Sequence, residues 1–542
     1  MRPNTRWFYE RPLQLALLAL ILRIGALLLQ GHDTINWDGA NFARTAENVH
    51  KGLGYVGMRG TTNLEHEPLY PLLIAAVLPL YANAENIGIA ISLLAGALFV
   101  VPLYLIARLI YDERVALIAA VLAAVHPFLI KLSVQVLTEP LYYALAAGGI
   151  YALLAFVQRQ SNKHALVCGA LFGLAYLTRS EGFLFMVVAV AVVLVAQIVR
   201  YHSTTAALRP LLFMIVPFAV CAIPYVAFFY VHTGQLRIEN KTAENYAIGI
   251  RLQAGMSYVE AADGLGPGLR EDGPELGGAY YATHQHAPEP SLGARLQFAV
   301  RAARSHVRDI GHYLSSVQFG SPLLLVMAII GLFASPWTAK RLSCESILIA
   351  YALANYAALS NVQHFWDRYA AGFIPYIVLW GAKGFDEFMR WATLTAAALD
   401  VDLQKRRRPF AAAGALLLLL VFLLSVRTMR AEAISPELPK EAAAWIERVA
   451  PGPKLIMDVS NVVAYYAQGT WNALPYSSAS QALAYVHLKK PDFVVLDARR
   501  RPDRPYLGAW LDRGIPDPAA RLVHTAGSDP NTRILVYRWL KL

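Results

Sequence analysis

Apolar runs long enough to cross a hydrocarbon layer, which takes about 20 helical residues, recur from residue 12 to about residue 427 and then stop. They predict eleven spans, at about 12–30, 88–107, 115–132, 140–157, 164–178, 183–200, 210–230, 319–335, 343–359, 369–386 and 410–427. One further apolar stretch, Pro68 to Leu80, is short and carries Pro68, Pro71 and Pro79. It reads as an interfacial or partly embedded helix closing a long polar connector at about 31–87. A second long connector, about 231–318, joins a Gly/Pro-rich stretch from Gly264 to Pro290 to an Arg-containing amphipathic segment, Leu292 to Tyr313, of the kind that lies along a membrane face. Beyond Ile434 the pattern changes. Glu441 to Arg448, Asn461 to Gln468 and Ser478 to Leu488 read as helices, and Lys454–Asp458, Phe493–Asp497 and Arg533–Tyr537 as strands. This alternation predicts a compact α/β unit, with no Gly-x-Gly-x-x-Gly run to assign it a nucleotide.

Composition agrees with a membrane protein: of 542 residues, 56% are hydrophobic and 16% charged. The formal net charge is +11, and the basic residues gather in alternate connectors: Arg108 with Arg114, Arg159 with Lys163, Arg200 with Arg209, Lys340 with Arg341, and the Lys405–Arg408 run. These fall on the side of Arg2, Arg6 and Arg11. By the positive-inside rule the N-terminus is cytoplasmic and the C-terminal unit extracytoplasmic. The excess charge therefore marks short cytoplasmic loops, and no nucleic-acid partner is expected. The first apolar segment has no small-residue cleavage site and reads as a retained helix. Cys168, Cys221 and Cys344 have neither zinc-site nor disulfide spacing. The expected fold is a polytopic α-helical membrane region, residues 1–430, followed by a small extracytoplasmic α/β domain, residues 431–542.

Ionisable residues at span ends are costly unless partnered, so they mark candidate chemistry. The first connector is densest, in Asn36-Trp37-Asp38-Gly39-Ala40-Asn41-Phe42-Ala43-Arg44-Thr45. In a helix beginning near Asp38, spacings of three and four put Asp38, Asn41 or Phe42, and Thr45 on one face, with Asp38 also a candidate helix cap. Glu65-His66-Glu67-Pro68 places two carboxylates and an imidazole where the proline-marked segment starts. Thr138-Glu139-Pro140, Arg179-Ser180-Glu181 and Asp367-Arg368-Tyr369 stand at other span ends that the topology puts on the same side. Two acids facing one cleft suit a general base with a second acid orienting the acceptor or sharing a metal, and Arg179 and Arg368 suit a departing phosphate. Arg23 lies deeper and reads as paired within the bundle. Asn240-Lys241-Thr242 matches a glycosylation sequon, a three-residue pattern only.

These landmarks, in order, resemble the membrane glycosyltransferases of the GT-C superfamily, especially bacterial members grouped with the dolichyl-phosphate-mannose–protein mannosyltransferases and aminoarabinose lipid A transferases, similar to glycosyltransferase family 39. Asp38 with Phe42, Ala43 and Ala46 matches the family's first-loop acid. Glu67-Pro68-Leu69-Tyr70-Pro71 resembles the landmark that closes that loop. Leu137-Thr138-Glu139-Pro140-Leu141, Leu177-Thr178-Arg179-Ser180-Glu181-Gly182 and Arg368-Tyr369 match the later ones. The resemblance implies an inverting transfer of a hexose or pentose from a polyprenyl-phosphate donor to a lipid, glycan or protein acceptor at the outer face of a bacterial cytoplasmic membrane. It implies Asp38 and Glu139 as catalytic residues, and Arg179, Arg368, Tyr369, His66, Glu67, Tyr70 and Glu181 as substrate or phosphate ligands. A divalent cation (Mg, Mn or Zn) stays open, with Asp38, Glu139, His66 and Glu67 as its candidate ligands. The chain departs from several relatives in having Asp38-Gly39 where they carry Asp-Glu, and Glu139 where they carry Asp. The competing readings are a polymerase or ligase using diphosphate-linked sugars, and a lipid or sugar transporter.

Overall fold

The computed structural model describes residues 5–30, 34–265, 292–319, 321–360, 362–398 and 437–540. The expected span at 410–427, the Lys405–Arg408 run, most of the Gly/Pro-rich stretch and the boundary near residue 430 lie outside the described residues. From the N-terminus the chain forms α1 (Thr5–Gln30) and two helices of the first connector, α2 (Trp37–His50) and α3 (Leu69–Val77). Then come α4 (Ala84–Leu98), α5 (Val100–Ile110), α6 (Glu113–Val125), α7 (Pro127–Ser133), α8 (Glu139–Arg159), α9 (Asn162–Tyr176), α10 (Glu181–Tyr201) and α11 (Leu208–Thr233). The second connector carries α12 (Lys241–Gln253), α13 (Tyr258–Asp263) and α14 (Leu292–Leu314). The chain then continues through α15 (Ser321–Phe333), α16 (Ala339–Leu359), α17 (Asp367–Ala370) and α18 (Ile374–Ala398).

Among the described residues six helical stretches are long and apolar enough to cross a membrane, and seven if α6 and α7, bent by 54°, form one span. The bend falls at His126, which is extended (ψ 121°) ahead of Pro127, as the clash between a proline ring and the preceding residue requires. This is fewer than the eleven expected. α9 has 15 residues and α15 has 13, about 22 and 20 Å of helix at 1.5 Å per residue, short of a hydrocarbon core. α18 is long enough, but Lys383, Asp386, Glu387 and Arg390 interrupt its apolar face. The Pro68 segment is the nine-residue α3, too short to cross.

The connectors sort into two ends. At one end Arg11 and Arg108 pair with Glu113 at 3.2 and 3.1 Å, and Arg341 pairs with Glu345 at 3.3 Å. At the other end lie both long connectors, the starts of α8 and α10, and α17. Arg23 is fully buried, donating to Ser133 Oγ at 3.1 Å and to the carbonyls of Ala19 and Ala124, so it ties α1 to α6 and α7.

The C-terminal segment is a five-stranded sheet flanked by helices. It runs α19 (Glu437–Val449), β1 (Leu455–Asp458), α20 (Val462–Tyr466), β2 (Thr470–Ala473), α21 (Ala479–Lys489), β3 (Phe493–Asp497), α22 (Leu507–Arg513), β4 (Ala520–Ala526) and β5 (Ile534–Trp539). The strand order is β2-β1-β3-β5-β4, with β1 parallel to β2 and β3, and β5 antiparallel to β3 and β4. The helices α19, α20 and α21 and the strands β1, β3 and β5 match the hydrophobic pattern. β2, β4 and α22 go beyond it, because β2 is a four-residue piece with a polar Asn472 and β4 is an edge strand with much of one side in solvent.

This sheet domain is not tethered loosely. Its apolar core is continuous with Ile35, Phe42, Tyr70 and Ile74 of the first connector. Polar clamps reinforce that contact. Arg44 donates to Tyr465 O and Gln468 Oε1, both at 2.9 Å, Tyr466 Oη donates to Glu85 at 3.0 Å, and Arg504 meets Asp263 at 2.7 Å. α2 and α3 are thus held between membrane helices and sheet.

Candidate active site

α2 begins at Trp37 because Asn36, extended, accepts the amide of Gly39 at 2.7 Å. Asn36 and not Asp38 is the cap, which corrects one expectation and leaves the Asp38 carboxylate in the first turn, where the helix dipole favours negative charge. Gly39 permits the placement. A Cβ there would stand 2.9 Å from both Val136 Cβ and Val136 O, closer than atoms can sit. Any larger residue, such as the Glu of the resembling pattern, would push α2 off the segment that leads into α8. With glycine the two meet, and Asp38 and Glu139 come to the same cleft.

Glu139 starts α8 ahead of Pro140, a residue whose fixed φ suits the first helical turn. Its carboxylate, 3% exposed, lies 3.0 Å from Arg179 Nη1 and 3.5 Å from Arg368 Nη1. Arg368, on α17, also reaches Asp38 Oδ2 with Nη2 at 2.7 Å. Arg179, in the turn between α9 and α10, binds Glu181 at 2.9 Å. The five side chains form one alternating series, Asp38, Arg368, Glu139, Arg179, Glu181, assembled from segments far apart in sequence.

A second cluster abuts it. Asn41 Oδ1 accepts from Met58 N, so its amide nitrogen is the donor to His66 Nδ1 at 3.1 Å. The same Nδ1 lies 3.3 Å from Asn63 Oδ1, and the other ring nitrogen, Nε2, faces Asp38 Oδ1 at 3.9 Å. Glu67 accepts from Ser180 N at 3.1 Å and from Lys241 Nζ at 2.8 Å, joining the first connector to the α9–α10 turn and to α12. In the sequence Lys241 stands out only as the middle of its sequon. Nothing local places it against Glu67, 174 residues away.

Two expected ligands stand apart. Tyr70 Oη donates to Gly88 O at 2.7 Å in a fully buried contact between α3 and α4. Tyr369, beside Arg368 in the late landmark, has its Oη 3.4 Å from His364 Nε2, a partner outside the carboxylate series.

The charges perturb one another. Desolvation alone would raise the Asp38 pKa, but the Arg368 guanidinium and the His66 ring outweigh it and hold the carboxyl well below the usual range. Desolvation would lower the pKa of Arg368, and Asp38 and Glu139 reverse this and raise it. Arg179 is raised likewise, by Glu181 and Glu139 against its own burial. Lys241 is raised by Glu67 against burial.

These residues do not fit a shared cation as they stand. Among the described residues no three His, Cys, Asp or Glu side chains gather as a ligand set. Arg368 lies between the two acids that would share a metal, and Glu67 is committed to Lys241.

Beside the polar clusters opens an apolar cavity of about 710 Å³, lined by Tyr55, Pro68, Leu72, Leu177, Cys221 and Phe228 among others. Two of its lining residues neighbour the charged clusters in sequence: Pro68 follows Glu67, and Leu177 lies two residues before Arg179.

Comparison with known proteins bears on this arrangement. Residues 65–227 match the family described as dolichyl-phosphate-mannose-protein mannosyltransferase. No curated protein sequence matches the chain. Among solved structures, ArnT from Cupriavidus metallidurans bound to undecaprenyl phosphate is similar at 14% identity and a TM-score of 0.56, with 98% of each chain covered. The oligosaccharyltransferase of Archaeoglobus fulgidus tethered to an acceptor peptide is similar at 15% identity and a TM-score of 0.60, covering 99% of this chain and 75% of that one. A complex of the same oligosaccharyltransferase with Zn and sulfate is similar at 14% identity and a TM-score of 0.60, covering 97% and 73%. With its apolar helices, its two long connectors meeting at one end and its small sheet domain packed there, the chain is a membrane protein of the GT-C glycosyltransferase fold.

Proposed function

We propose that the chain transfers one sugar from a polyprenyl-phosphate donor to an acceptor hydroxyl, with inversion at the anomeric carbon. One observation carries this reading: Asp38 and Glu139, from segments far apart in sequence, meet across the Arg368 guanidinium, and an apolar cavity is lined by the sequence neighbours of Glu67 and Arg179. The cavity suits the first isoprene units of a donor, and the undecaprenyl phosphate held by the similar ArnT supports that assignment. Orientation follows from the basic connectors, which gather at the end away from the site. The site then faces the outside of a bacterial cytoplasmic membrane, with the N-terminus inside.

In this reading Asp38 takes the acceptor proton as the acceptor oxygen attacks the anomeric carbon from the face opposite the phosphate. The bond between that carbon and the phosphate oxygen breaks, and the electron pair leaves with polyprenyl phosphate, which gains one negative charge. Arg368 has two duties. In the resting site it neutralises Asp38, which makes Asp38 a weak base. An arriving phosphate competes for the same guanidinium, and as Arg368 turns toward it the basicity of Asp38 is restored. Base and leaving-group stabiliser are thereby coupled through one side chain. Arg179, bound by Glu139 and Glu181, positions Glu139. His66, whose Nε2 faces Asp38 Oδ1, helps position that carboxylate.

The test is release of polyprenyl phosphate, read by mass spectrometry, from a panel of polyprenyl-phosphate hexoses and pentoses. Wild-type and Asp38→Asn protein in nanodiscs would be compared with and without membrane extract as acceptor. Release by wild type alone is the expected result and names the sugar. Release only from diphosphate-linked donors, or none from any donor by a folded protein, overturns the reading.

A further inference from the structure

A second cavity, of about 300 Å³, lies in the sheet domain, and the reaction above makes no use of it. It opens at the carboxyl ends of β1 and β3, lined by Asp458 at the end of β1 and Ser460 after it, by Asp497 at the end of β3 and Arg499 and Arg500 after it, and by Thr34 of the first connector. Within the parallel part of the sheet the strand order is β2-β1-β3. The chain leaves β1 toward β2 on one side and β3 flanks it on the other, so the crevice between β1 and β3 is the switch point at which open α/β sheets bind ligands.

The lining shows what would bind. Asp458 is 1% exposed; its carboxyl accepts from the backbone of Ser460 and Val459, while its Oδ1 has no hydrogen-bond partner among the described residues, a costly arrangement unless a ligand donates to it. Burial and the neighbouring Asp497 push its pKa up to about 7. Arg499 is committed to Asp497 by bonds of 2.9 and 2.6 Å, and Arg500 to Asp503 at 3.2 Å. An anion would meet arginines already neutralised and face Asp458. No cation-binding group of three ligands is present among the described residues. What remains is a neutral molecule that both donates and accepts, as vicinal hydroxyls do when they donate to a carboxylate and accept from the outer N–H groups of a paired guanidinium.

The cavity also has a fixed relation to the candidate base. Asn461, three residues after Asp458, donates to Trp37 O at 2.9 Å, and Tyr466 accepts from Ile35 N at 3.0 Å. The wall that includes Thr34 therefore runs directly into the turn that carries Asp38. We propose that the crevice between β1 and β3 is a sugar-binding subsite that holds a hydroxyl-rich residue of the acceptor glycan. This specifies the acceptor class and rests on the transferase reading.

Binding of methyl glycosides of common hexoses, pentoses and amino sugars to the full-length protein in nanodiscs, followed by saturation-transfer NMR, tests it. The variants are Asp458→Asn, Thr34→Trp, which obstructs the rim without entering the strand core, and Asp38→Asn. The expected result is saturable binding of at least one glycoside to wild type and to Asp38→Asn, weakened about tenfold or more in Asp458→Asn and in Thr34→Trp by loss of a charged hydrogen bond or of space. No binding up to about 10 mM, binding retained in both cavity variants, or binding lost in Asp38→Asn overturns the proposal. Release of polyprenyl phosphate from the donor panel by the same preparations judges the transferase reading separately. Glycoside binding without release sinks that reading and leaves a sugar site, whereas release without glycoside binding sinks the subsite alone.

Discussion

Replacing Asp38 by Asn removes the proposed proton acceptor while preserving size and the ability to accept a hydrogen bond from Arg368. The Asp38–Arg368 contact of 2.7 Å, with side chains 28% and 32% exposed, represents about 4 kcal/mol of attraction for charges roughly 4 Å apart at an effective dielectric near 20. On the proposed mechanism that attraction weakens the base in the resting site and is released when a phosphate draws Arg368 away. Loss of a positioned general base costs about 10²- to 10⁴-fold in turnover, and this is the fall expected in kcat for Asp38→Asn, with a thermal melt close to wild type. The pH profile adds a sharper requirement. Because the folded-state pKa of Asp38 is depressed, the carboxylate persists as pH falls through the usual carboxylate range and is lost only below it. Wild-type kcat/KM should therefore show no acid limb from Asp38 between about pH 5 and 8. Arg368→Gln removes the largest influence opposing desolvation and should move that limb upward. Turnover of Asp38→Asn equal to wild type, or an acid limb unmoved in Arg368→Gln, would refute the coupling of base and guanidinium.

Three further outcomes follow from the geometry. Glu139→Gln strips a carboxylate from Arg179 and Arg368 together, so it should lower stability by about 1–3 kcal/mol and turnover strongly. A lower melt with unchanged turnover assigns Glu139 a purely structural role. Val220→Trp, at the wall of the apolar cavity, should raise KM for a long-chain donor while sparing a short-chain analogue, and equal effects on both would dissociate the cavity from the lipid. Asp458→Asn should stabilise the sheet domain at pH 8 and not at pH 4. A carboxyl whose folded pKa is raised from 3.8 to about 7 loses stability as pH climbs between those values, by up to about 4 kcal/mol, and the amide escapes this. Melts of wild type and variant that run parallel with pH would count against a carboxyl whose ionisation burial opposes.

The membrane character of the chain, most of its helix positions and the separate α/β tail are legible in the sequence, because hydrophobic period and length are local properties. So are the landmark acids and arginines, since an ionisable residue at the end of an apolar run stands out whatever its partner. Span number is less legible. Hydropathy does not register that α9 and α15 are short, nor that α6 and α7 break at His126, because these depend on where backbone hydrogen bonding actually stops. β2 and β4 leave no clear periodic signal because short or edge strands take their stability from neighbours instead of from their own pattern.

Pairing belongs to the tertiary structure. Arg368 lies 330 residues from Asp38 and Lys241 174 from Glu67, and no spacing rule connects such residues. The pairs form because Gly39 lets α2 settle on Val136 and because the sheet domain grips α2 through Arg44. Residue order alone dictates which segments favour the membrane and which side chains carry charge at their ends, since both follow from the transfer of local groups between water and an apolar phase. Which carboxylate faces which guanidinium, whether Asp38 caps its helix and where one oxygen of Asp458 is left without a partner are settled by packing between distant segments, which no local period encodes.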